Sequence, residues 1–229
     1  ADLVTKGGPA ALTRALATIL TWPPESRGAL VANVVAACER VAARGGEYAA
    51  ACAATARPAG EHPGDLGIVA SLLLRHAVLR PGEAVFLPAN GLHSYLHGTG
   101  VELLANSDNV VRAGLTPKHV DVPELLKITD PAVVVPVLEP RPVGGGIWVY
   151  DSPAPEFRLY RAEASRAELT LPGGGARIAV CTDGTGTLRA SSGTLKVAKG
   201  ESCYLSAADG AVTAAGPATL FVAGTGITG

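Results

Sequence analysis

Two eight-residue stretches of this chain share one pattern, identical at four of their positions. Gly82-Glu83-Ala84-Val85-Phe86-Leu87-Pro88-Ala89 aligns without a gap to Gly200-Glu201-Ser202-Cys203-Tyr204-Leu205-Ser206-Ala207. Each copy opens on a Gly-Glu turn, passes through an apolar run, and is followed by a further expected strand, Val101–Ala105 or Ala218–Val222. A turn-and-strand unit that recurs this way predicts two related β-barrel units. In this register His93 stands opposite Ala211, so the second copy has no imidazole and reads as a structural barrel.

The rest of the chain fits around that pair. In residues 8–60, Ala11, Leu12, Leu16, Ile19 and Leu20 recur at three- and four-residue steps, which predicts a helix stopped at Trp22-Pro23-Pro24. Ser26 is the expected N-cap of a second helix through Ala43, closed by Gly45-Gly46, and a third covers Glu47 to Ala56. Asp65 is expected to cap a helix from Leu66 to about His76. From Val78 to Val111 short apolar runs between Gly, Pro, Asn and Asp turns read as sheet. Further strands are expected at Val133–Leu138, Ile147–Tyr150, Phe157–Arg161, Ala167–Leu171, Ala176–Cys181, Gly186–Ala190, Gly193–Val197, Ser202–Ser206 and Ala218–Val222. Strands this short and regular favour a sandwich or barrel.

A net charge of −1 with 17% charged residues gives no electrostatic reason to expect nucleic acid or an acidic membrane surface. No apolar run approaches the length of a membrane span. Ala1-Asp2-Leu3-Val4 has neither the basic nor the apolar region of a secretory signal, so a cytoplasmic protein is expected. Cys38, Cys52, Cys181 and Cys203 are widely spaced and read as reduced, buried thiols. The chain has no methionine and starts at Ala1, which suggests a piece of a longer protein.

Gly82, five residues, Pro88 and then His93 resemble the second motif of cupin barrels, with Asn90 where cupins usually have Gly. The turn glycine reverses the chain, the apolar run fills the barrel, and the imidazole is aimed at its mouth, where a zinc-like ion could be held. Leu87-Pro88-Ala89-Asn90, His93-Ser94-Tyr95-Leu96 and Ser107-Asp108-Asn109-Val110-Val111-Arg112-Ala113-Gly114-Leu115-Thr116-Pro117-Lys118 resemble the type I mannose-6-phosphate isomerase (phosphomannose isomerase) family. His62-Pro63-Gly64-Asp65-Leu66-Gly67 is similar to that family's Tyr-Pro-Gly-Asp-Ile-Gly turn.

The resemblance implies a mainly β fold with an α-helical subdomain and cupin-like (jelly-roll) barrels, one catalytic and incomplete, one degenerate. It divides the chain into a helical subdomain at 1–60, the C-terminal half of the catalytic barrel at 61–130 and the degenerate barrel at 131–229. It implies a zinc-dependent exchange between mannose 6-phosphate and fructose 6-phosphate, with His93 as metal ligand and Arg112 as catalytic arginine. Lys118, Glu102, Tyr95 and Asp108 match positions at or near the substrate pocket. Isomerisation moves a proton between C1 and C2 through an enediol. A guanidinium suits the developing oxyanion or a phosphate, an ammonium suits phosphate as a point charge, and a carboxylate can relay protons. The plainer readings are that Glu102 and Asp108 accept hydrogen bonds in the barrel wall and that Tyr95 packs there. His76, His97 and His119 have no matching partners and read as solvent-facing.

The family's other metal ligands, a Gln-x-His pair and a Glu, belong to an N-terminal half expected to precede the helices. No glutamine occurs in the chain. One imidazole falls short of the three or so protein ligands of catalytic zinc. The expectation is therefore an isomerase whose 229-residue chain is inactive alone, its partner being the missing N-terminal part. Competing readings are a non-catalytic sugar-binding or scaffold cupin, which intact Arg112 and Lys118 weigh against, and an interaction module on the helices.

Overall fold

The computed structural model describes residues 7–107 and 109–225, and proline and glycine set the bounds of its first helices. α1 (Gly8–Leu20) buries Ala11, Leu16 and Leu20 on one face. α2 (Pro24–Arg44) starts ahead of the expected Ser26 cap. Pro24 already has a helical φ and no N–H to satisfy in the first turn, so the proline pair that stops α1 also starts α2. Ser26 lies inside, its hydroxyl donating to the Pro23 carbonyl at 3.3 Å. Gly45 at φ 73° ends the helix as expected, and α3 follows (Ala49–Ala56).

Asp65 caps α4 (Leu66–Ala70) by accepting the Gly67 N–H at 2.7 Å. This helix is shorter than expected, giving way to a 3₁₀ turn at Ser71–Leu73 instead of reaching His76. The Ser71 hydroxyl donates to the Ile68 carbonyl at 2.7 Å, a local bond that competes with helix continuation. A fifth helix, α5 (Val122–Ile128), was not expected. Its signal is Asp121, which accepts the Glu124 N–H at 3.0 Å, with Pro123 in the first turn. Leu16, Leu20, Val31, Ile68, Val69 and Leu125 form the core beneath these helices. The described residues within Ala1–Val78, Leu87–Thr99 and Asp108–Val135 make one compact unit around it.

The expected sheet from Val78 to Val111 is not formed. It is reduced to β1 (Ala84–Val85), paired antiparallel with β2 (Val137–Leu138), and Val101–Ala105 is not a strand. Extended backbone becomes a strand only when a neighbour takes up its N–H and C=O groups. Among the described residues no strand runs beside 87–121. The expected Val133–Leu138 strand likewise shrinks to its last two residues, because Pro136 has no N–H to give a ladder.

The second unit comprises the described residues within Leu79–Phe86, Gly100–Ser107 and Pro136–Gly229. After β3 (Arg141–Gly144) and β4 (Ile147–Tyr150) come β5 (Phe157–Ala164), β6 (Leu169–Thr170) and β7 (Arg177–Ala190). β8 (Gly193–Ala198), β9 (Ser202–Leu205), β10 (Thr213–Ala215) and β11 (Ala218–Thr225) complete it. The strand order is β3-β4-β5-β11-β7-β10-β6, with β8 and β9 also on β7. Two expected strands, Ala176–Cys181 and Gly186–Ala190, are thus one long β7. Its first part lies between β9 and β11, its second between β8 and β10. The sheet curls around Ala162, Cys181, Leu188, Val212, Leu220 and Val222. Ala218, Leu220 and Val222 are buried alternately, the period of two that puts one face of β11 inward. The mainly β architecture with a helical part, and a cupin-like curl here, match the expectation.

The recurring octapeptide proves to be one turn built twice. Glu83 N–H donates to the Arg80 carbonyl at 3.0 Å, and Glu201 N–H to the Ala198 carbonyl at 2.9 Å. The glutamate carboxylates close each turn, accepting the N–H of Arg80 at 2.6 Å and of Ala198 at 2.8 Å. Gly82 and Gly200 stand at φ 90° and 88°, the third-position geometry of a type II turn that glycine supplies without strain.

No helix among the described residues is long and apolar enough to cross a membrane. All four cysteines are free, Cys38 and Cys181 buried, Cys52 and Cys203 half-buried. Burial, with Cys52 beside it, pushes the Cys38 thiol up to about 11 from an ordinary 9.0. Its thiolate at pH 8 should be about a hundredfold scarcer than that of a free cysteine, so iodoacetamide should label Cys38 far more slowly in the folded chain than in urea. The folded state holds this proton where the unfolded state has lost it. Its contribution to stability is therefore complete below pH 9 and is lost as the pH rises towards 11. Labelling of Cys38 at pH 8 as fast as in urea would contradict the burial.

Candidate functional site

His93 sits on an exposed loop whose entry is fixed by Asn90. Asn90 has φ 69°, a left-handed conformation that asparagine tolerates better than most residues, which explains how it stands in for glycine. Its carbonyl accepts the Asp130 N–H at 3.0 Å, tying the loop to the chain ahead of Val133. Val133 also packs on Gly91, where a Cβ would come within 3.0 Å of it. Nδ1 of His93 lies 3.3 Å from the Gly91 carbonyl. A carbonyl only accepts, so this contact puts the proton on Nδ1 and leaves the Nε2 lone pair facing outward, the tautomer a metal ligand uses. The Tyr95 ring meets the imidazole edge-on, centroids 5.7 Å apart at 66°, so Tyr95 packs on His93 and not in a barrel wall. Tyr95 itself is exposed.

Arg112 points outward because its neighbours point in. Val111, Ala113 and Leu115 pack on the helical core, and strand-like alternation leaves Arg112 exposed. Gly114 at φ 149° and Leu115 at φ 53° then reverse the chain towards exposed Lys118, whose N–H donates to the Thr116 hydroxyl at 3.1 Å. Among the described residues no carboxylate pairs with Arg112 or Lys118. Glu102 is exposed and belongs to the other compact unit, and Asp108 lies outside the described residues. His76, His97 and His119 are exposed, as expected.

A feature that the sequence reading missed links two of its own motifs. Asp65, read there only as a helix cap, also accepts the Leu115 N–H through its second carboxylate oxygen at 2.8 Å. The His62–Gly67 turn and the Arg112–Lys118 run are therefore in direct contact.

The residues present do not by themselves fit a zinc ion. Among the described residues no three His, Cys, Asp or Glu side chains are grouped so as to hold a metal, and catalytic zinc takes about three protein ligands. In the second unit a hollow of about 370 Å³ is lined by Arg80, Gly82, Glu83, Glu139 and Arg161. Its charges are already matched. Arg80 pairs with Glu83 and Glu139 at 2.6 and 3.2 Å, and Arg161 stacks on Trp148 at 4.4 Å. The Arg80 backbone N–H, then its guanidinium, hold the Glu83 carboxyl below its ordinary range.

Known proteins are similar to this chain along most of its length. A family model for the cupin domain of mannose-6-phosphate isomerase matches residues 154–224. Mannose-6-phosphate isomerase of Escherichia coli (strain K12) is 38% identical over 161 residues, 69% of this chain and 41% of that protein. The Bos taurus mannose-6-phosphate isomerase is 44% identical over 108 residues, 45% of this chain and 26% of that protein. Mannose 6-phosphate isomerase of Salmonella typhimurium, bound to its substrate fructose 6-phosphate and to zinc, superposes with a TM-score of 0.78 at 28% identity, over 95% of this chain and 55% of that one. The chain spans about two fifths of the first curated relatives it matches.

Proposed function

We propose that this chain forms part of an enzyme of the mannose-6-phosphate isomerase family, one exchanging mannose 6-phosphate and fructose 6-phosphate. The observation that carries this reading is the pair of exposed cations, Arg112 and Lys118, on either side of one clamped turn with no carboxylate partner among the described residues. A phosphorylated sugar is the anion such a pair suits.

In this reading Arg112 steadies the negative charge that develops on the sugar oxygen, and Lys118 holds phosphate as a point charge. Tyr95 orients the imidazole of His93 and borders the sugar. Glu102 is assigned the proton relay, and Asp108 a place beside the substrate, on their positions in the family's motifs alone. Residues 61–130 serve as half of the catalytic barrel, 1–60 as its helical subdomain and 131–229 as a barrel without chemistry. The enzyme is placed in the cytoplasm, with a sugar phosphate and no nucleic acid or membrane as partner.

The zinc of the substrate-bound neighbour enters this proposal with a condition. His93 offers one donor and the 229 residues contain no glutamine, so the remaining donors must come from outside this chain. The purified chain, supplied with zinc and mannose 6-phosphate in a coupled assay, is expected to show no turnover above buffer. Zinc-dependent turnover by this chain alone would refute the need for outside donors. A protein that joins this chain to a segment bearing the missing donors, and still fails to isomerise the sugar, would refute the isomerase reading itself.

A further inference from the structure

The contact between Asp65 and Leu115 assigns work to a residue that carries no chemistry of its own. Asp65 divides its two carboxylate oxygens between two backbone donors, Gly67 N–H at 2.7 Å and Leu115 N–H at 2.8 Å. Only the first is needed to cap a helix. The second reaches across fifty residues to a turn held in an unfavourable shape, Leu115 at φ 53° being in the left-handed region that leucine avoids. Close packing supports the clamp. A Cβ on Gly114 would come within 2.7 Å of Asp65 Oδ1 and 2.8 Å of Gly67 Cα, so both glycines are there to let the two backbones touch.

We propose that Asp65 is a positioning residue for anion binding: by clamping Leu115 it fixes the turn that sets Arg112 against Lys118 and so sets affinity for a phosphate monoester. The proposal rests on the reading of Arg112 and Lys118 as the anion-binding pair. An unclamped turn would let Leu115 relax to negative φ, giving up part of its packing on the helical core and swinging the two cations relative to each other.

The test titrates fructose 6-phosphate into the 229-residue chain and follows the amide signals of Arg112 and Lys118 by NMR, with Leu115 amide exchange measured alongside. Asp65→Ser keeps a good helix cap for Gly67 but has only one oxygen, and Asp65→Asn keeps the side chain's size while losing one acceptor. Both are expected to lower affinity about tenfold, the scale of one misaligned charge-assisted hydrogen bond, and to speed Leu115 exchange, with Gly67 still protected in Asp65→Ser. Unchanged affinity in both variants, in a background where Arg112→Ala abolishes binding, would overturn the proposal and leave the functional reading intact. No binding by the unmodified chain, or binding indifferent to Arg112→Ala, would instead overturn the reading of the pair and the proposal with it.

Discussion

Gly184→Ala is expected to unfold the curled sheet of the C-terminal unit. Gly184 sits at φ 71° where β7 changes partners, opposite Ala218 of β11. A Cβ built there falls 1.9 Å from the Pro217 carbonyl oxygen and 2.9 Å from its carbon. That obstacle is backbone and is itself engaged, since the same oxygen accepts the Thr185 N–H at 2.9 Å. Relief would require moving the β10–β11 connection away and breaking that bond. Left-handed strain, overpacking and a lost buried hydrogen bond together cost about 4 kcal/mol, a large share of the stability of a domain this size. Urea unfolding followed by circular dichroism should show the midpoint fall steeply or the transition vanish. Gly193→Ala serves as the comparison for positive-φ strain alone, because Gly193 stands at φ 145° and a Cβ there meets nothing within 4 Å. A Gly184→Ala chain as stable as Gly193→Ala would show that the crossing can open without loss.

The second large effect concerns catalysis. In an active isomerase containing this chain, Arg112→Ala should lower kcat/KM about a hundredfold or more, the usual scale for removing one preorganised charge from a developing oxyanion. The distribution of the loss identifies the role. A fall carried by kcat means that the guanidinium acts on the reacting oxygens, whereas a rise in KM alone means that it only holds phosphate. Arg112→Lys should recover little, because an ammonium lacks the planar fork that meets two oxygens at once. Lys118→Ala should act chiefly through KM. An Arg112→Ala enzyme with unchanged kcat would remove Arg112 from the catalytic role proposed for it.

Local rules made much of the molecule readable before its structure. Short regular runs between turns located β5, β8, β9, β11 and the two parts of β7, and the Gly-Glu stretches marked two turns, closed by Glu83 and Glu201. The sequence could not show that Pro24 starts a helix as readily as Pro23 stops one, which displaced the Ser26 cap. Nor could it show that the described residues within 87–121 form no strand, because a strand is a property of two segments and only one is visible in a local pattern. The site was legible in the same uneven way. His93, Arg112 and Lys118 stood out by type and motif. The bond from Asp65 to Leu115 did not, because its partners are fifty residues apart and the donor is a backbone N–H that every non-proline residue carries.

β7 has a consequence for how this protein would fail under stress. Its fourteen residues give one half of their hydrogen bonds to β9 and β11 and the other half to β8 and β10. The two ladders use different residues of β7 but one continuous backbone, so the order of one part sets where the other begins. Heat or denaturant is therefore expected to melt both layers in one transition, with hydrogen exchange along the two parts of β7 rising together. A barrel with no imidazole of its own would in that way act as an all-or-none anchor, remaining whole until the point at which it is lost.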